Sequence, residues 1–297
     1  MNRLAPGLVA GILTVFCLAP ARADENILGY LSGAETLPAG AKEAYVWLTR
    51  RSGKGTGHYS AVDLEGEFEY GFTSRFQGAL ALKGQAIDTS NILIDAYIPG
   101  DKEYGPRLSG VEGRLKYRFL SPLVNSFGLA GQVSLEHAWL DPHSGQDKNT
   151  TSLGLTALLQ KNYLEDQLVA VANFGLESTY ADRSPIAGLP AGFEWPTEPE
   201  MEIEFKAGAG ISYRIAPRWF IGVETFYETE FETEVGQERW SWHGGPSLHY
   251  AAKSWWATLT WMPQLRGGGE RYAGQTANLH LIEKTRHEVR LKLGYNF

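Results

Sequence analysis

The chain has 297 residues, with 27 basic and 34 acidic side chains and a formal net charge of −7. This acidic balance gives no reason to expect nucleic-acid binding. Cys17 is the only cysteine, so no disulfide within the chain can form and stability must come from burial and hydrogen bonding.

The first 23 residues have the pattern of an export signal. Arg3 precedes an apolar stretch at 8–18 that is too short to span a bilayer, and Ala21-Arg22-Ala23 supplies a small-x-small cleavage pattern. The alternative is an N-terminal membrane anchor, which the short stretch disfavours. We expect residues 1–23 to be a cleaved signal peptide.

After residue 23, no run reaches the roughly 18 apolar residues that a membrane helix needs. The signal that remains is alternation of apolar and charged side chains, which is the period of a β-strand with two different faces. It is clearest in the segments 62–70, 111–119, 201–215 and 288–297. Such strands fit either a soluble all-β protein or a barrel that spans lipid.

Extending this rule along the chain predicts about twelve strands. They lie at 43–53, 58–73, 75–87, 107–120, 127–140, 151–163, 167–180, 201–215, 218–231, 239–252, 254–265 and 285–297. In the first of these, either Tyr45 and Trp47 or Val46 and Leu48 could face outward. Every second junction is short, whereas the stretches 88–106, 141–150, 181–200 and 266–284 are long and rich in turn-forming residues. Outer-membrane barrels have short periplasmic turns and long extracellular loops.

Aromatic residues give a separate indication, because Tyr and Trp favour the boundary between water and lipid. Those beside the short turns are Phe72, Phe76, Phe119, Phe127, Tyr163, Tyr213, Trp219, Tyr250 and Trp255. Those toward the long loops are Trp139, Tyr180, Tyr227, Trp240 and Trp261. Aromatics of a β-sandwich core would not need to gather at strand ends.

These patterns predict an all-β fold, a transmembrane antiparallel up-and-down β-barrel in the bacterial outer membrane. Unpaired backbone groups are costly in hydrocarbon, so the sheet must close and the last strand must pair with the first. We expect residues 24–42 to form a periplasmic N-terminal segment and residues 43–297 a single barrel domain surrounded by outer-membrane lipid.

The polar face of each strand would then point into the lumen. The expected lumen-lining residues are Asp63, Glu65, Glu67, Glu69, Glu112, Arg114, Lys116, Arg118, Glu202, Glu204, Lys206, Glu224, Glu288, Arg290 and Lys292. Their opposite charges either pair and plug a narrow pore or line a wet channel for a small solute. The sequence leaves both outcomes open.

The C-terminal sequence HEVRLKLGYNF, ending in Phe297, resembles the signal that the barrel-assembly machinery reads on Gram-negative outer-membrane proteins. The stretch from Thr36 to Leu82 resembles the opening of an uncharacterised family of outer-membrane barrels, through a Leu-Pro-x-Gly entry and an acid-x-x-Tyr-Gly-hydrophobic-Thr turn at 67–73. The resemblance implies a fold, a location, and assembly with that machinery and periplasmic chaperones. It brings no catalytic residues.

A search for reactive groups yields weak candidates. His243, Ser247 and His249 share one face of a strand, but no Asn is placed to orient a histidine as in the phospholipase barrels with a Ser-His-Asn site. Asp141, His143 and Asp147 could bind a divalent cation on a loop, but the same spacing is common in solvated loops that bind no metal. The sequence predicts no catalytic residue, metal site or cofactor.

We therefore expect a porin-like barrel that acts as a passive channel or uptake route for a small polar solute. The first alternative is a non-conducting structural or surface-interaction barrel that uses the loops 88–106, 181–200 and 266–284. An outer-membrane enzyme is a more distant one.

Overall fold

The chain folds into one closed antiparallel barrel of twelve strands, each paired with its neighbours in sequence, with the first and last strands also paired. The structure, a computed structural model, describes residues 26–92, 102–184, 198–232 and 236–297. The strands are β1 Lys42–Ser52, β2 His58–Thr73, β3 Phe76–Ser90, β4 Lys102–Leu120, β5 Gly128–Leu140, β6 Asp147–Tyr163, β7 Leu168–Arg183, β8 Glu200–Ala216, β9 Trp219–Glu232, β10 Gly236–Ala251, β11 Trp255–Gly269 and β12 His287–Asn296. The predicted fold class and strand number are confirmed.

The two ends of the barrel differ in their connections. At the end that we name the turn end, the turns are short, as between Thr73 and Phe76 or Ala251 and Trp255. At the opposite end, which we name the loop end, several strands are longer than the sequence predicted. β3 continues to Ser90, β6 begins at Asp147 and β11 continues to Gly269.

The four long loops are correspondingly shorter than 88–106, 141–150, 181–200 and 266–284. Backbone pairing between neighbouring strands continues past the point where side chains stop alternating between lipid and lumen, so the apolar pattern underestimates strand length there. Parts of two of these loops, 93–101 and 185–197, lie outside the described residues.

The outer face of the barrel is apolar. Leu80, Leu82 and Leu293 are 72%, 59% and 48% exposed, and similar side chains surround the barrel. In β1, Val46 and Leu48 are exposed while Tyr45 is buried, so the first strand turns its aromatic side chains inward. None of the described residues forms a helix long and apolar enough to cross a membrane.

Most of the predicted boundary aromatics lie on this outer face. Phe72, Phe119, Phe127, Tyr163, Tyr213, Trp219 and Trp255 are exposed near the turn end, and Tyr180 and Trp261 toward the loop end. Trp219, Tyr250 and Trp255 pack together, with ring centroids 4.8 Å and 5.1 Å apart.

The barrel closes between β1 and β12 in continuous register from Glu43 opposite Asn296 to Ser52 opposite His287. The backbone N–H of Phe297, just beyond β12, donates to the carbonyl oxygen of Lys42 at 3.0 Å. The sheet therefore has no open edge at this seam, as lipid requires.

The N-terminal segment is not where the sequence placed it. Residues 24–42 were expected in the periplasm, but residues 26–36 lie inside the barrel, where Leu28 and Ala34 are fully buried. We name residues 26–36 the lumen segment. It joins β1 through a tight turn in which the N–H of Ala41 donates to Pro38 O at 3.0 Å, and the N–H of Gly40 donates to Gly71 O on β2 at 2.8 Å. It has no periodic pattern because it forms no regular secondary structure.

Candidate functional site

The lumen segment is attached to the barrel wall mainly through one carboxylate, that of Glu224 on β9. This side chain accepts hydrogen bonds from the backbone N–H groups of Gly29 at 2.7 Å, Tyr30 at 2.9 Å and Leu31 at 3.1 Å. The hydroxyl of Thr260 on β11 donates a fourth at 3.1 Å. Glu224 is 1% exposed, so these bonds replace water for a buried charge.

Amide side chains of the wall continue this attachment. Asn173 on β7 bonds both backbone groups of Ser32, accepting from its N–H and donating to its carbonyl oxygen, each at 2.9 Å. Gln160 on β6 accepts from the N–H of Ala34 at 2.9 Å. An irregular backbone inside a barrel needs such partners, because its own groups do not pair with one another.

Basic side chains of the wall bind the oxygen atoms of the same segment. The amino group of Lys116 donates to Gly33 O at 2.9 Å, and that of Lys292 donates to Asn26 Oδ1 at 2.9 Å. The guanidinium of Arg290 donates to Gly29 O at 3.3 Å and lies 3.8 Å from the ring centre of Tyr30. Arg118 forms an ion pair with Glu35. These are four of the predicted lumen residues.

The wall makes room for the apolar side chains of the lumen segment. A Cβ atom at Gly208 on β8 would lie 2.5 Å from Leu31 Cδ2, and one at Gly210 would lie 2.7 Å from Leu28 Cδ1. Leu28 and Leu31 also cluster with Val169 and Val171, whose side chains point inward from β7. Small and apolar residues on the inner face of a polar lumen were the available sequence signal of this segment.

Two connections at the loop end fold inward over the lumen. In residues 141–146, the carbonyl oxygen of Pro142 accepts from Arg51 Nη2 at 2.5 Å and that of His143 accepts from the Tyr59 hydroxyl at 2.9 Å. Asp141 Oδ1 accepts from the N–H groups of His143 and Ser144, both at 2.7 Å, so it stabilises this turn.

The second inward connection, residues 270–286, carries charged groups into the barrel. Lys284 pairs with Glu228 of β9 at 2.9 Å, and Glu283 pairs with Arg239 of β10. The ring of His280 is buried, and its Nε2 accepts from the N–H of Glu283 at 3.4 Å. Burial lowers the pKa of His280 to about 4. Burial also holds the pKa of His143 well below its usual value, an effect that the nearby Lys54 increases.

Two cavities remain between the lumen segment and the inward loops, with volumes of about 510 Å³ and 360 Å³. They share wall residues, including Trp47, Asp63, Glu177, Lys206 and Arg290, so they adjoin in the middle of the barrel. Sites of this size hold small molecules.

The walls of the two cavities carry more acid than base. The acidic residues are the fourteen Asp63, Glu65, Glu67, Glu69, Glu112, Glu136, Asp141, Glu177, Glu202, Glu204, Glu228, Glu230, Glu283 and Glu288. The basic residues are the nine Arg51, Lys83, Arg114, Lys116, Lys148, Lys206, Arg239, Lys284 and Arg290. Thus every predicted lumen residue lines a cavity, except Arg118, Glu224 and Lys292, which hold the lumen segment.

Many of these charges are paired. Arg114 contacts Glu65 at 2.7 Å, Glu112 at 2.7 Å and also Glu67. Lys83 contacts Glu112 at 2.7 Å and Glu136 at 2.5 Å. These ion pairs connect β2, β3, β4 and β5 along one side of the lumen wall.

Aromatic side chains that the sequence did not assign to the lumen also line it. The rings of Tyr45 and Trp47 on β1 stack with centroids 5.9 Å apart, and Arg114 lies 5.3 Å from the Trp47 ring centre. Tyr30 stacks on Phe226 of β9 at 5.3 Å, and its hydroxyl donates to Glu288 at 2.7 Å. The sequence left the face of β1 open, so Trp47 could not be assigned.

The candidate reactive groups of β10 lie on the inner face of the barrel. His243, Ser247 and His249 are all buried, and His249 Nδ1 lies 2.7 Å from the Thr258 hydroxyl oxygen. Within the described residues, the Ser247 hydroxyl has no hydrogen-bond partner, so neither histidine is hydrogen-bonded to it. The three residues are not connected as a nucleophile and its base would be.

Carboxylates gather at the loop ends of β8, β9 and β10. Glu200, Glu202 and Glu232 form one group whose oxygen atoms lie within 4.8 Å of one another, and Glu230, Glu232 and Glu238 form a second. These are the described residues that could hold a metal ion, although exposed acidic groups are common without one.

The closed barrel and its apolar outer belt define the class of this protein as a bacterial outer-membrane β-barrel. The chain belongs to a family of unknown function (DUF6662), whose model matches residues 20–297. This confirms the predicted kinship with an uncharacterised family of outer-membrane barrels. A search of curated proteins gives no match.

Solved structures share the fold at low sequence identity. The COG4313 outer membrane channel from Pseudomonas putida F1 is 12% identical with a TM-score of 0.59, over 89% of this chain and 98% of that one. The β domain of the Bordetella autotransporter BrkA is 13% identical with a TM-score of 0.56, over 87% and 100%. The translocator domain of the autotransporter NalP from Neisseria meningitidis is 12% identical with a TM-score of 0.55, over 89% and 91%.

Proposed function

We propose that this protein is a narrow passive channel, or uptake route, for small polar solutes across the outer membrane. The observation that carries the proposal is the pair of adjoining cavities, about 510 Å³ and 360 Å³, enclosed by ionisable side chains in the middle of the barrel. A barrel that served only as a scaffold would not need a hydrated space there, since paired side chains could fill a lumen of this width.

The lumen segment narrows this route without being part of the wall. It is held by hydrogen bonds to side chains such as Glu224 and Asn173, and it pairs with no strand. The solutes that pass must therefore be small, and the segment sets the width of the turn-end half.

Planar-bilayer recording tests the proposal with the full mature chain and a matched chain that lacks residues 26–36. We expect small conductance steps from the full chain and steps several-fold larger from the shortened one, because the segment fills much of the lumen. A heat-dependent gel shift controls for folding of both chains. Folded protein that passes no current in either form would refute the channel.

The second candidate is a non-conducting structural or surface-interaction barrel that presents its extracellular loops to a partner. The inward connections 141–146 and 270–286 favour it, because their buried contacts with Arg51, Tyr59 and Glu228 close much of the loop end. Surface-binding assays with loop replacements, together with absence of current, would separate this candidate from the first.

We propose that the protein is not an enzyme. The inward burial of His243, Ser247 and His249, without a hydrogen bond between the serine and a histidine in the described residues, supports this view. A lipase assay on the parent chain and on His249→Ala tests it. Hydrolysis by the parent that the substitution abolishes would contradict it.

For biogenesis, we propose that periplasmic chaperones and the barrel-assembly machinery deliver the chain by reading its last strand. The contact of Phe297 with Lys42 at the seam supports a role for the terminal residue in closure. Deleting Phe297 should lower the heat-shifted fraction in cells more than Phe297→Tyr does. Equal insertion of the two variants would argue against it.

A further inference from the structure

The basic groups in the turn-end half of the lumen are turned toward the lumen segment. Lys116 and Lys292 are 3% and 2% exposed, and both donate to oxygen atoms of that segment. Arg290 donates to Gly29 O and lies against the Tyr30 ring. The segment therefore engages three positive charges. It covers Lys292, whereas Lys116 and Arg290 also border the larger cavity.

Acidic groups remain on the side that faces the cavities. Glu177 on β7 lines both cavities and makes no hydrogen bond or ion pair with any residue in the described ranges. Glu204 on β8 lies directly opposite Glu177 in the strand pairing, and Lys206 contacts Glu204 at 3.2 Å. Two carboxylates thus share one lysine, so acid exceeds base at this part of the wall.

Glu288 on β12 is a second carboxylate beside the cavities. One of its oxygen atoms accepts from the Tyr30 hydroxyl, and within the described residues it forms no ion pair with a lysine or arginine. The cavity walls as a whole carry fourteen acidic and nine basic residues. Unbalanced charge of one sign on low-dielectric walls concentrates ions of the opposite sign.

The carboxylates at the loop end extend this field outward. Glu200, Glu202 and Glu232 lie at the loop ends of β8 and β9, where Lys148 contacts Glu202 at 3.2 Å. Charges of one sign along a path accelerate the entry of oppositely charged solutes. The acidic entrance and the acidic cavities thus act in the same direction.

We propose that the lumen segment makes this channel selective for cations and for small positively charged solutes. Its oxygen atoms accept hydrogen bonds from Lys116, Arg290 and Lys292, and Glu177 and Glu288 face the path without an ion pair to a basic residue in the described ranges. The inference rests on the proposed channel function and adds the charge class of the solute. It also gives the segment a role in selectivity besides that of narrowing the lumen.

Reversal potentials across planar bilayers under a KCl gradient test the proposal with the full mature chain. We expect the parent to favour K⁺ over Cl⁻. The double variant Glu177→Gln with Glu288→Gln should lower the permeability ratio by about threefold for each carboxylate removed. The matched control is Glu165→Gln in the exposed turn between β6 and β7, which should leave the ratio unchanged.

A second comparison isolates the lumen segment. The chain that lacks residues 26–36 should lose the cation preference or reverse it, because Lys116, Arg290 and Lys292 lose their partners in the segment. Of the described wall carboxylates, only Glu224 loses backbone donors with them. Adding Lys116→Gln and Lys292→Gln to that chain should restore preference for K⁺. A heat-dependent gel shift confirms that each variant is folded.

The outcomes separate the two proposals. Current with Cl⁻ preference in the parent, or a ratio that neither the carboxylate variants nor the deletion changes, overturns the charge inference and leaves the channel intact. Absence of current from folded protein of every form overturns both. A parent ratio above one that falls in both comparisons supports the inference.

Discussion

Replacing Glu224 with glutamine should release the lumen segment. The carboxylate accepts three backbone N–H groups, and glutamine keeps its shape but offers one oxygen and one NH₂ group. Either orientation of the amide leaves at least one buried N–H facing another donor. An unsatisfied buried donor costs about 1 to 3 kcal/mol, so the attachment weakens by about 2 kcal/mol. At 1.4 kcal/mol for each factor of ten, the released population rises about 30-fold.

The assay is the labelling rate of a single cysteine with a membrane-impermeant maleimide. Ser32→Cys places a thiol on the segment without removing the backbone bonds to Asn173. Cys17 lies in the predicted signal peptide, so this thiol is then the only one in the mature chain. Because labelling proceeds through the released state, its rate should follow the released population.

Glu177→Gln is the matched control, since it makes the same chemical change on the lumen wall without contacting the segment. Its labelling rate should equal that of the Ser32→Cys parent. If Glu224→Gln labelled within about twofold of the parent while remaining folded, the attachment energy estimated from hydrogen-bond costs would be wrong.

Three further predictions concern other parts of the barrel. Gly208→Leu should also speed maleimide labelling of Ser32→Cys, because the new side chain would overlap Leu31 and overpacking costs about 1 to 3 kcal/mol. The control is Gly66→Leu, which should not change the labelling rate because no atom lies within 4 Å of its added Cβ. Equal labelling rates of the two variants would contradict this prediction. Burial lowers the pKa of His280 from 6.5 to about 4, so its neutral ring stabilises the 270–286 connection above pH 6.5 and this contribution is lost as the pH falls toward 4. Protease cleavage in 270–286 should therefore increase as the pH falls from neutral to about 4, and the increase should be larger in the parent than in His280→Gln. An equal increase in the two chains would refute the stabilising role of neutral His280. Leu80→Arg on the lipid face should lower the free energy of unfolding, measured with urea in vesicles, by about 2 to 4 kcal/mol, whereas Leu80→Met should leave it nearly unchanged. Equal stability of the two variants would contradict the lipid-facing position of Leu80.

The wall of the barrel could be predicted because each strand repeats one physical rule. A residue such as Leu293 faces lipid and its neighbour Lys292 faces the lumen. This alternation therefore predicts which side chains of a strand point outward, and closure of the sheet then requires the first and last strands to pair. The rule does not distinguish Tyr45 and Trp47 from Val46 and Leu48, since all four are apolar. Contacts made across the lumen, such as Arg114 over Trp47, decide that face.

The lumen segment could not be predicted in the same way. Its residues follow no period, and its position depends on side chains that lie far away in sequence, such as Glu224 and Asn173. The nearest sequence signal was the set of inward-facing Gly208, Gly210 and Val171, which are apolar or small where the other strands carry charge. The same long-range dependence places the connection 270–286 inside the barrel.

The lumen segment also stabilises the seam between β1 and β12. It precedes β1 in the chain, yet it is bonded to the inner face of β12 through Lys292, Arg290 and Glu288. β1 and β12 are thus connected twice, once by the hydrogen bonds between their backbones and once by the lumen segment on their inner face. Separating the two strands would require both sets of contacts to break. The seam is therefore more stable than its ten paired positions alone would make it.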